Sequence, residues 1–386
     1  MRQKLYFATL ALMLLSIVFI YSLTPYPSLY FGVSSHYFLL RDSIAVIIAI
    51  LTMTYISNLN PNRSFDILGF TLFFLFLFLL IAMLFMPETF VRSVKGAKRW
   101  IKIGSISLAP TEFFKYGFLF FIAWSLERKQ KALYKAKTLW QEIVVILPYF
   151  FLLGLSVAIL AITQKDLGQS VVLLFTMLAL LFLSGRSKKF FISIATFATA
   201  VVTLLIAVAP HRILRLKGWW VGIQDSILSL LPQSIATALK VTDSTESLPI
   251  VNARSAFENG GLFGQGLGSG QYKLGFISEV QTDFIMAGLG EEIGFIGILI
   301  ILLLFAYIIY IILKIGSQLK SIHERYFSYG VAIVLFLSLA INLYGVTGII
   351  PEKGIAVPIL SYGGSQLVAT AVAIGMVLML ARRIKE

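Results

Sequence analysis

Long apolar runs separated by short polar stretches set the pattern of this chain. Ten runs of spanning length lie near residues 5–22, 38–57, 66–86, 107–126, 143–162, 168–184, 190–209, 284–313, 328–348 and 361–381. A run of about 20 apolar residues crosses a bilayer as a helix, because backbone in hydrocarbon must satisfy its own hydrogen bonds. The runs are continuous rather than alternating, which excludes the strands of a membrane barrel. The pattern predicts an all-α polytopic membrane protein of about ten transmembrane helices. Residues 1–386 form one transmembrane domain, with a long extracytoplasmic loop, 210–283, between the seventh and eighth helices. Within that loop 225–240 reads as short amphipathic helices and 241–248 as a mobile polar stretch. The first run follows Met1-Arg2-Gln3-Lys4 without a small-residue cleavage site, so it reads as an uncleaved helix.

Composition narrows the class further. The chain is 58% hydrophobic and 13% charged, which leaves no room for a soluble domain. It has no cysteine, so disulfides, thiol catalysis and cysteine-held metals are excluded. The net charge of +14 suits membrane orientation, anionic lipid or an anionic substrate rather than nucleic acid. Outside the long loop most basic residues fall on the side of the N-terminus, which places both termini in the cytoplasm.

Chemistry concentrates where polar residues meet apolar helices. Gly260 to Gly268 is glycine-dense, with Gly264 and Gly266 within it, and leads to Gln281-Thr282-Asp283-Phe284 at the mouth of the eighth run. Asp283 has no basic residue within nine positions. Partial burial then raises its pKa, which suits a general base; a helix N-cap is the structural alternative. Glu291 lies eight residues on, roughly 80° around an ideal helix, and is expected in the same cavity. Glu292 points away, toward another helix. The basic stretch with Lys98 and Arg99 reads as a lip for a diphosphate, or else as cations at lipid headgroups. Glu112 and Lys115 share one helix face, either as an interhelical lock or as ligand positioner and cation. Asp166 caps the following helix. The turn 347–365 has Lys353, two prolines, and the hydroxyls of Ser361, Tyr362 and Ser365. Its backbone cannot continue a helix and must line protein or a watery cavity. The three histidines show no metal spacing, and no P-loop, Ser-His-Asp set or dinucleotide fingerprint is present.

Taken in order, Gly96 to Ile101, Pro110-Thr111-Glu112 with Lys115, Asp166-Leu167-Gly168, Gly260 to Gly268, Thr282 to Ile285, Glu291 to Gly294 and Pro358 to Ser365 resemble the SEDS family (shape, elongation, division and sporulation), which includes FtsW and RodA. Pro351-Glu352-Lys353-Gly354 is more similar to the division branch. Lys165, Gln169, Gln281 and Gln366 depart from the family pattern. The resemblance implies a peptidoglycan glycosyltransferase polymerising lipid II at the outer face of the bacterial inner membrane, for septal synthesis. It also implies a class B penicillin-binding protein as partner, beside other division or elongation membrane proteins and membrane lipids, and an essential acid at Asp283. Arg99, Lys98, Lys115 and Lys353 then hold the diphosphate, with Glu112, Ser361 and Tyr362 around the substrate and Glu291, Asp166, Gly264 and Gly266 in support. A divalent cation, Mg2+ or Mn2+, is compatible with this chemistry, but no ligand cluster demands it. A lipid II flippase and a non-catalytic scaffold are the rival functions.

Overall fold

The computed structural model describes the chain except residues 88, 95–96, 105, 137, 161–163, 165, 197–209, 243–245 and 385–386. The expected seventh span falls mostly outside the described residues, as does part of 241–248.

The first helices are α1 (Arg2–Leu23), α2 (Pro25–Tyr30), α3 (Tyr37–Asn58) and α4 (Pro61–Phe85). A sheet follows: β1 (Val91–Val94), β2 (Ala97–Ile103) and β3 (Ile106–Leu108). Next come α5 (Pro110–Lys135), α6 (Leu139–Ile159), α7 (Leu167–Leu183) and α8, helical over 188–196. The 210–283 segment holds α9 (Pro210–Leu228), α10 (Gln233–Leu239) and α11 (Leu248–Gly260). The chain ends with α12 (Ile285–Gln318), α13 (Ile322–Val346) and α14 (Gly364–Leu380).

Among the described residues seven helices are long and apolar enough to cross a membrane: α1, α3, α4, α6, α12, α13 and α14 with its extension to Arg383. The apolar part of α7, Gly168–Leu183, is shorter. The expectation of an all-α chain needs one amendment, because the basic lip is an antiparallel sheet in the order β1-β2-β3. Alternation of side chains along β2 puts Arg99 and Ile101 on one face and Lys98 and Lys102 on the other.

Close helix approach builds the core, as it must where lipid supplies no hydrophobic drive between helices. Gly117 of α5 meets the backbone of Leu72 and Phe73 on α4, where any side chain would collide. Phe73 then stacks on Phe121 at 4.4 Å between ring centres, and Phe76 on Phe113 at 4.6 Å. α14 runs through the middle, buried along nearly its whole length against α3 and α5.

At one end of the bundle Arg2 reaches Asn58 at 2.7 Å, Arg382 caps the carbonyls of Asn58 and Leu59, and Arg383 pairs with Glu324. The opposite end carries the sheet, α11 and the glycine-dense loop.

That loop is docked into a break in α12. Gly294 has φ +67, outside the helical region, which interrupts the hydrogen-bond ladder. The amides of Gln265 and Gly266 donate to the carbonyls of Glu291 and Glu292, both at 2.9 Å. The amides of Phe295 and Ile296 donate in turn to Gly261 and Leu262. Gly264 (φ +82) packs its backbone on the carbonyl of Glu292, so a side chain fits neither its conformation nor its space.

Candidate active site

Asp283 lies just before the first turn of α12. The N-cap position belongs to Phe284, so the side chain of Asp283 is not spent on capping. The backbone around it is held from two directions. Asn342 of α13 donates through its amide nitrogen to the Asp283 carbonyl and to that of Ile355, both at 2.7 Å. Ser361 donates to the Thr282 carbonyl at 2.7 Å and accepts the Val357 amide at 2.9 Å. The Tyr362 amide donates to Gln281 at 2.9 Å, and the Tyr362 ring packs edge-on against Phe38. The hydroxyl of Ser361 therefore clamps the 355–362 loop to the acid's own segment. Gly354 lets that loop pass so close that an added Cβ would sit 2.7 Å from Asp283 Oδ2.

The Asp283 carboxyl is half-buried and pushed up to about 7, first by burial and next by the nearby Glu279 carboxylate. Arg99 opposes the shift, while Asp166 and Glu352 add to it. Four segments distant in sequence thus bring charge to one place: β2, the start of α7, the 277–284 turn and the loop after α13.

Arg99 is oriented by donating through Nε to the Gln164 carbonyl at 2.9 Å. Gln164 is itself fixed through its side-chain oxygen by Thr111 at 2.5 Å. Asp166 accepts the Gln169 amide at 3.1 Å and so caps α7, as expected. Burial raises its pKa against the pull of Arg99.

Other predicted residues are placed differently. Lys98 turns away on the opposite strand face and donates to the Met86 carbonyl at 3.4 Å. Lys115 is buried and paired with Glu112 at 2.6 Å, whose second oxygen accepts Gln169 at 3.0 Å. This is an interhelical lock between α5 and α7 at the edge of the site. Lys353 is half-buried in the 351–358 loop.

Glu291, expected in the cavity of Asp283, is not there. Its carboxylate is fully buried and accepts the amides of Gln271 and Tyr272 and the side chain of Asn259. Backbone amides of the loop, invisible to a helical-wheel argument, capture it. Glu292 does pair elsewhere, with Lys273 at 2.5 Å and Ser22 of α1 at 2.5 Å. Gly264 and Gly266 serve the docking of the loop rather than the acid.

Sequence reasoning missed Asn342, Glu279 and Lys273. Asn342 is a polar residue inside an apolar run, a signal the sequence did contain, whereas Lys273 sits in the 210–283 loop and shows its burial only in the structure. Among the described residues no three His, Asp or Glu side chains come together to hold a metal ion. The described residues therefore offer no preformed all-protein ligand set for Mg2+ or Mn2+.

Fold and site together define a polytopic helical membrane protein with a poised carboxyl and an oriented guanidinium at one end of its bundle. The family model described as cell cycle protein, covering FtsW, RodA and SpoVE, matches residues 3–386. A Helicobacter pylori protein named probable peptidoglycan glycosyltransferase FtsW is 45% identical over 99% of both chains. A Haemophilus influenzae protein of the same name is 31% identical over 97% of this chain and 89% of its own. The fold also matches Thermus thermophilus rod shape determining protein RodA, with TM-score 0.64 and 24% identity over 99% and 97% of the two chains. A chain from a structure described as "Structural coordination of polymerization and crosslinking by a peptidoglycan synthase complex" aligns with TM-score 0.70 and 23% identity over 98% and 97%. This chain belongs to the FtsW/RodA/SpoVE family, the SEDS proteins.

Proposed function

We propose that this chain is a peptidoglycan glycosyltransferase that polymerises lipid II at the outer face of the bacterial cytoplasmic membrane, in septal synthesis. The observation that carries the reading is Asp283: a half-buried acid pushed up to about 7, with Arg99 beside it, on backbone fixed by Asn342 and Ser361. The names of the 45% and 31% identical relatives support the same activity.

The 4-hydroxyl of one lipid-linked disaccharide attacks the anomeric carbon of another. Asp283 takes the hydroxyl proton as the new C–O bond forms. The bond from that carbon to the diphosphate breaks, and undecaprenyl diphosphate leaves with the electron pair. Arg99, already oriented through Nε, offers its terminal nitrogens to the departing charge. Lys353 adds a second cation from the loop that packs on the acid. Lys115 and Glu112 hold α5 and α7 at the rim.

In this reading both termini are cytoplasmic, about ten spans cross the membrane, and 210–283 lies outside. A class B penicillin-binding protein crosslinks the strands that this chain makes. The test is polymerisation of labelled lipid II by the purified protein with that partner in detergent. Arg99→Ala should raise KM for lipid II at least tenfold, whereas Arg63→Ala, at the other end of the bundle, should leave it unchanged. Equal effects would remove Arg99 from the site. No glycan from the wild-type protein would favour a transporter.

A further inference from the structure

Among the described residues only two non-glycine residues have positive φ: Glu279 at +55° and Ile359 at +69°. Both lie on the pair of segments zipped together beside Asp283. L-residues adopt this conformation only where surrounding contacts hold them, and such positions cluster at functional sites.

The contacts at Glu279 are specific. Its carbonyl accepts the amides of Thr282 at 3.0 Å and Phe284 at 3.3 Å, which closes a turn around Asp283. Its carboxylate accepts the Thr282 hydroxyl at 3.2 Å and the Gln281 side-chain amide at 3.4 Å. Glycine would adopt the same turn without strain, so the backbone alone does not call for a glutamate. What the glutamate adds is a negative charge folded back over 281–283.

We propose that Glu279 is a positioning residue for the reaction, one that holds the 279–284 turn and sets the basicity of Asp283 through like-charge repulsion. The proposal rests on the reading of Asp283 as the base. Glu279 stabilises the protonated form of Asp283, which makes the acid a stronger base toward a sugar hydroxyl. The other charged groups acting on Asp283 are Arg99 on β2, Asp166 at the start of α7 and Glu352 in the loop after α13, which also carries Lys353. Only Glu279 shares a turn with Asp283, so its charge is held in register with the base. Because Glu279 itself is exposed, its influence passes partly through water and weakens with added salt.

The experiment compares pH–rate profiles of lipid II polymerisation for wild type, Glu279→Gln and Glu279→Gly, each with its partner transpeptidase. Both variants should move the acid limb of kcat/KM to lower pH by about half a unit or more. The plateau above it should fall less than about tenfold, as expected for a weaker base. The gap between the limbs of wild type and variant should narrow as salt is added. A limb that stays at the wild-type pH while the plateau drops would overturn the proposal, since a purely structural role predicts that result. Glu279→Gly relieves the backbone strain, so it keeps the test open should Glu279→Gln fold poorly. Asp283→Asn separates the two ideas. If it polymerises normally, the base assignment fails; if it is inactive and the Glu279 limb has not moved, only the role of Glu279 fails.

Discussion

In water a carboxyl such as that of Asp283 ionises near pH 4, yet here it holds its proton to about 7. Only the ionised form accepts a proton from substrate, so polymerisation should rise with pH through about 7 and level off above it. A rate–pH profile flat from pH 5 to 8 would contradict this. The same shift has a cost in stability. A folded-state pKa above the unfolded value favours folding below the unfolded pKa, and that gain is lost as pH rises through about 7. Asp283→Asn should therefore melt higher than wild type at pH 8, with the gap closing toward pH 4. Asn342 belongs to the same scale. Asn342→Leu leaves the Asp283 and Ile355 carbonyls without their donor, at about 1–3 kcal/mol each. A lower melting temperature with at least a tenfold loss of polymerisation is expected. Asp283 was legible in the sequence because an acid with no neighbouring cation at a helix mouth is costly. The roles of Asn342 and Glu279 were not, since one comes from a partner 59 positions away and the other from a left-handed turn.

Elements were legible in proportion to their hydropathy. The runs at 5–22, 38–57 and 66–86 became α1, α3 and α4 with edges displaced by a few residues. The sheet was missed although its signals were present: Ala97 to Ile103 is short and partly alternating, and the Gly-Ser dipeptide before Ile106 has the composition that short hairpin loops favour. Its cations drew the reading toward a lip and away from strands. The break in α12 was hidden for a different reason. Gly294 inside a long apolar run reads as a packing glycine, and only the docked loop 260–268 makes it a kink. The anchor of that loop yields an element-scale prediction. Lys273→Met leaves the Glu292 carboxylate buried without its cation and should cost about 3–5 kcal/mol in unfolding experiments. Lys273→Met/Glu292→Met should recover most of that loss. Additive losses in the double variant would mean the pair does not act as a unit.

At the scale of the whole molecule the account depends on which way the bundle faces. The Asp283 end must be outside and the Arg2–Arg382–Arg383 end inside. Cysteines placed singly at Leu230 and at Asn62 in this cysteine-free chain test that, because an impermeant thiol reagent applied to intact cells should label only the first. Labelling of Asn62→Cys instead would invert the topology. The helices on their own specify a membrane protein. The convergence of β2, the start of α7 and the loops before α12 and α14 on one carboxyl is what the proposed catalytic role adds to that. The most direct test is lipid II polymerisation by Asp283→Asn, with the variant shown by melting to be folded and still bound to the proposed transpeptidase partner. The account predicts a loss of at least about a hundredfold in kcat with binding of lipid II retained; glycan strands made at the wild-type rate would contradict it.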